Sequence, residues 1–178
     1  MTPSEFEIMY DVKHIFNYTL DETRCHVGRA PTLNSCVMLF GRESTRKVMR
    51  GALDTFIDFV KAKDKPNNAQ RDTIWWLVMS QFGSLKITEW LLFSMKAMSG
   101  QFGKFYNCLD PLDITTAVRS WAKECEAFRN EYRSEQVRKD REAERQFEVM
   151  SEAKRQEALK ILERIEEKLK AKLKEKKS

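Results

Sequence analysis

Apolar residues recur at helical intervals along most of the chain, and turn or capping residues bound each run. Thr2-Pro3-Ser4-Glu5 has the form of a helix start, with Thr2 as N-cap, Pro3 at the first helical position and Glu5 closing a capping box. Ile8, Val12, Ile15 and Phe16 follow at i, i+4, i+7 and i+8 and predict one apolar face. Residues 21–31, DETRCHVGRAP, carry no periodicity and read as a loop. TLNSCVMLF then predicts a short helix ending before Gly41. From Ser44 to about Lys63, the residues Val48, Met49, Ala52, Leu53, Phe56, Ile57 and Val60 form a wide stripe that Pro66 stops. Asn67 or Asn68 caps the next helix, AQRDTIWWLVMSQF, and Gly83 ends it. Ile74, Trp75, Leu77, Val78 and Phe82 cover so much of its surface that it is expected at the centre of the core. Thr88 reads as the cap of a further helix, EWLLFSMKAMS, which Gly100 stops.

Asp110 and Pro111 open the last helix, with Asp113 in its first turn near the positive pole. Its apolar positions, Ile114, Val118, Trp121, Cys125, Phe128 and Tyr132, alternate at spacings of four and three, the seam of a coiled-coil-like packing. The seam then stops. RSEQVRKDREAERQ offers only Val137 and Ala143, yet every residue in it tolerates a helix, and Glu135 with Lys139 gives i,i+4 support. Apolar positions return at Phe147 and Met150, then at Leu159, Leu162, Ile165, Leu169 and Leu173. One helix from Pro111 to near Lys174 is therefore expected, roughly 95 Å long at about 1.5 Å per residue. The pattern predicts an all-α protein: a compact domain of five or six helices over residues 1–133, and a solvated helical arm over 134–178. The leucine and isoleucine stripe on that arm is marginal for a lone helix in water. It reads either as a surface for another helix, a second copy or a partner subunit, or as an unpartnered charged helix that frays at its end.

Composition agrees with helices, since six glycines and four prolines in 178 residues leave little material for many turns. The net charge is +5, from 32 Lys+Arg against 27 Asp+Glu, and the end is its most basic part. Lys168, Lys170, Lys172 and Lys174 lie in KLKAKLKEKKS, which can attract a phosphate backbone or an acidic protein surface. The same lysines also suit the negative pole of a helix without any partner. No apolar run is long enough for a membrane span, and acids near the N-terminus argue against a leader peptide. Cys25, Cys36, Cys108 and Cys125 form no CxxC pair, and with two histidines they complete no familiar zinc signature. Free thiols in a reducing cytoplasm are expected, with no metal and no cofactor.

No catalytic constellation is present: there is no GxxxxGK[ST], HExxH, GxSxG or EF-hand loop. The acids read as spread over solvated faces rather than paired in apolar surroundings. An enzyme is not expected. The segment GQFGKFYNCLDP, residues 100–111, joins two helices and holds the ingredients of a partner contact. Lys104 suits a phosphate, and Phe102, Phe105 and Tyr106 can stack on bases. Against this stands a packing role, in which the aromatics tuck under the helix pair and the glycines permit a tight reversal.

The run from about Ser44 to Tyr132 resembles a family of small helical proteins encoded by phages and mobile elements, chiefly of Bacteroides-type bacteria. The resemblance rests on Leu85 to Glu89 as a helix start, Gly100 to Tyr106 as a turn, and Leu109-Asp110 before a helix carrying a Trp. Cys108 and Pro111 depart from that pattern. The family's layout is loosely similar to phage helicase-loader and replication-accessory proteins. What the resemblance implies is a non-enzymatic replication accessory in the bacterial host cytoplasm, binding DNA, a replicative helicase or both. The basic arm and the Lys104 turn would meet the partner. The alternative is a structural or assembly protein that forms homo-oligomers through its C-terminal helix.

Overall fold

The computed structural model describes the backbone of residues 1–15, 21–60, 63–103 and 109–175, and the side chains of these except Ile15 and 166–175. Among the described residues there are eight helices: α1 Pro3–Met9, α2 Val12–Ile15, α3 Glu22–Val27, α4 Leu33–Phe40, α5 Arg42–Phe59, α6 Asn68–Phe82, α7 Ile87–Met98 and α8 Pro111–Glu175. The protein is all-α, with a long C-terminal helix. The chain divides into two units, Met1–Glu131 and Tyr132–Ser178.

Local chemistry explains most helix ends. Thr2 Oγ1 accepts from the Glu5 amide while Glu5 Oε2 accepts from the Thr2 amide at 2.7 Å, so the capping box forms as the sequence predicts. Asn67 and Gln70 make a second such box, which fixes the start of α6. Gly41 and Gly100 end helices at φ +85° and +83°, where a Cβ is disfavoured. Asp110 Oδ1 accepts from the Leu112 amide at 2.7 Å and caps α8. Asp110→Ala is expected to lower folding stability by about 1 kcal/mol, read as a shifted urea midpoint with an unchanged slope.

Four readings of the pattern need correction. The segment 21–31 is not all loop: Asp21 caps α3, accepting from the Arg24 amide at 3.3 Å, and the helix places Cys25 and His26 in the core. The N-terminal apolar face is not built on Ile8, which is exposed. The α1 helix ends at Met9, so the period does not carry across the break, and Phe6 is its buried anchor, stacked on Phe40 at 4.4 Å. Thr88 does not cap α7. Lys86 is the N-cap, and Thr88 Oγ1 instead donates across to the Cys25 carbonyl at 2.8 Å. The central helix is α7 rather than α6. Eight α7 residues are buried, among them Trp90, Leu91, Leu92 and Phe93, whereas α6 buries Ile74, Trp75 and Val78 and leaves Trp76 outside.

The surroundings of α7 follow from that burial. The stripe of α5 covers one side, and the Trp90 indole donates to the Met49 carbonyl at 3.0 Å. Main-chain bonds from Ile87 to Pro31, Leu33 to Leu85 and Asn34 to Gly83 tie the start of α4 to the start of α7. A Cβ at Gly83 would lie 2.2 Å from Asn34 Oδ1, so a larger residue there has to displace the exposed Asn34 side chain.

Candidate functional site

Two features of the molecule stand out chemically, one buried in the first unit and one exposed in the second. The buried one centres on Glu89, at the third position of α7 and wholly removed from solvent. An acid there is favoured by the helix dipole, and Glu89 Oε2 accepts from the Lys86 amide at 2.8 Å, one half of a capping box. Its other oxygen, Oε1, accepts from His26 Nδ1 at 2.9 Å and from Arg129 Nη1 on α8. A carboxylate has no proton to give, so Nδ1 of His26 carries the hydrogen. The Trp121 indole donates to the Glu89 carbonyl at 2.9 Å. The His26 ring lies 4.6 Å from Phe128 and 5.5 Å from Trp121, while Lys96 sits 4.9 Å over the Trp121 ring and pairs with Glu22.

Burial pushes the Glu89 carboxyl upward, but the bonds from His26, the Lys86 amide and Arg129 outweigh it and hold the group below the usual carboxylate range. The charged form is the one this cluster is built for. Cys125 lies beside it, and its sulfur, His26 nitrogen and a Glu89 oxygen all fall within 4.8 Å of one another. Those are zinc-type donors, yet Oε1 already holds His26 and the Arg129 cation, so an added cation would meet a like charge. Burial pushes the Cys125 thiol up strongly, with the nearby Glu89 charge adding to it. It also raises Cys25 to about 11 and Cys36 to about 12. These three are free, buried thiols with little thiolate for nucleophilic attack. The arrangement is a polar clamp that joins α3, α7 and the part of α8 from Trp121 to Arg129.

The exposed feature lies on α8. Every described side chain from Val137 to Ile165 is exposed. Large apolar ones among them return at helical spacing: Phe147 is 71% exposed, Met150 58%, Leu162 57% and Ile165 48%. Leu159, Ile161 and Val149 are exposed beside them, and Arg145, Gln146, Val149 and Met150 line a shallow groove. On the same helix, Lys139 pairs with Glu135 at 2.9 Å, as their spacing predicts.

The residues singled out in the sequence divide accordingly. Leu159, Leu162 and Ile165 share one exposed helix, while the side chains of Leu169, Leu173, Lys168, Lys170, Lys172 and Lys174 lie outside the described residues. Lys104 and Tyr106 lie outside them as well. Phe102 is half-buried, 5.0 Å from Phe93 and edge-on to Trp121 at 6.1 Å, which is a packing role. Sequence reasoning missed Glu89, His26 and Arg129, since it placed the acids on solvated faces. Among the described residues, no helix is long and apolar enough to cross a membrane.

Compared with known proteins, residues 64–178 match a family described as one of unknown function. That span holds Glu89, Trp121, Cys125, Arg129 and the whole stripe on α8, while His26 lies outside it. No curated protein and no solved structure matches the chain.

Proposed function

We propose that this chain, which belongs to the DUF6633 family of unknown function, is a non-enzymatic assembly protein that docks another helix on the far part of α8. The observation that carries this is the apolar face on α8, where Phe147, Met150, Leu162 and Ile165 are all exposed at helical spacing. A helix face of this kind gains little alone in water and gains most when another helix covers it. The clamp supports the same reading. Both Glu89 oxygens accept hydrogen bonds from within the protein and the carboxylate is wholly buried, which supports a structural role that ties α7 to α8 between Trp121 and Arg129.

A second reading has a feature of its own in its favour. Lys168, Lys170, Lys172 and Lys174 follow the stripe on the same helix. In a phage or mobile-element replication accessory, the stripe would meet a replicative helicase subunit and the lysines would meet DNA.

The test is affinity capture from the source cells with the full chain and with the Leu162→Lys/Ile165→Lys double variant, followed by mass spectrometry. The proposal expects a protein, a second copy of the chain included, that the parent retains and the variant releases. Equal retention by both chains would contradict it. DNA binding that the variant keeps, and that weakens steeply with salt, would favour the replication reading.

A further inference from the structure

Resting on that reading of the stripe, we infer that its occupant is a second copy of this chain, docked antiparallel. The stripe itself is nearly continuous at the 3.6-residue period. Phe147, Met150, Ala158, Ile161, Leu162 and Ile165 fall along one side of the helix, with Ser151 and Lys154 as the interruptions. Lysine tolerates such a place because its methylene stem covers apolar surface while the ammonium reaches water.

Charge chooses the partner and its direction. Residues 140–152 hold five acids and two bases, a net charge of −3. Residues 168–175, the last of α8, hold four lysines and one glutamate, a net charge of +3. A parallel pair would place the two lysine-rich ends side by side, and like charges along a helix pair repel. An antiparallel pair centred near Leu159 sets each lysine-rich end against the acidic segment of the other chain. The same register brings the position of Met150 opposite that of Leu169, and Ala158 opposite Ile161. The charge match therefore coincides with these two apolar pairings, while Phe147 and Ile165 come opposite Lys172 and Lys154, whose methylene stems can cover them. One helix supplies both halves of the complementarity, as a twofold self-complementary interface requires.

Two measurements on the full chain test this. Light scattering at about 50 μM and low salt is expected to give the mass of a dimer, and Leu162→Lys/Ile165→Lys the mass of a monomer. Both altered positions are exposed, so the globular unit should keep its circular dichroism and its melting temperature. Spin labels at Lys174→Cys, in a Cys108→Ser background, then report direction. The antiparallel pair places the two labelled positions about 45 Å apart at about 1.5 Å per residue. A parallel pair would hold them within about 20 Å, given helix axes about 10 Å apart. A short distance overturns the antiparallel arrangement. A monomer in the light scattering overturns the second copy as occupant. If a different protein is then captured by the parent and released by the double variant, the docking reading survives without this inference.

Discussion

Replacing Glu89 with alanine is expected to lower folding stability by about 3–5 kcal/mol, because it leaves His26 and the Arg129 guanidinium without the carboxylate that they share. Urea unfolding at pH 7 measures this directly. The sign of the pH dependence follows from the lowered carboxyl. A group held below its ordinary value of 4.5 contributes fully above that pH, and its contribution is lost as the pH falls through the folded-state value. Glu89→Gln keeps the shape and removes the charge, so the stability gap between parent and variant should narrow on acidification below about 4.5. A gap that stays constant from pH 7 to pH 3 would show that the charged form is not what the cluster stabilises.

Trp121→Ala should have an effect of similar size, about 3–5 kcal/mol, the usual range for emptying a buried tryptophan site. Trp121 is fully buried, lies against His26 and Phe102, carries Lys96 over its face and donates to the Glu89 carbonyl. The loss should appear in the melting of the globular unit. Trp121→Phe keeps much of the apolar area and should recover more than half of it. Equal losses for the two variants would mean that the indole hydrogen bond outweighs packing.

The contrast between what was and was not legible in the sequence has a physical origin. Caps and stops are written within three or four residues of one another, so Thr2 with Glu5, Gly41, Gly100 and Asp110 could be read directly. The wide stripe of α5 and the exposed stripe of α8 were also legible, because a helix of many turns repeats its pattern often enough to show a face. Short helices do not. α3 has six residues, and its signals were Asp21 before it and Gly28 after it rather than any period. The choice of α6 as the central helix weighed the number of apolar residues rather than their distribution. In α7 they run on all sides, from Trp90 to Phe93, which is the mark of a helix enclosed by others. The Glu89 clamp could not be read at all. Its partners lie 63 residues before it and 40 after it, and a single sequence does not pair residues over such distances. The available hint was an acid three residues into a helix whose other positions are mostly apolar, eight of eleven.

The central claim is that the exposed face of α8 is covered by a second copy of this chain, and backbone hydrogen exchange tests it most directly. Amides between Phe147 and Ile165 should be weakly protected in the dilute full chain and increasingly protected as its concentration rises. Those of α5 and α7 should not change. In the Leu162→Lys/Ile165→Lys variant the rise should be absent. Protection of Phe147–Ile165 that is the same at every concentration, and the same in the variant, would contradict the claim.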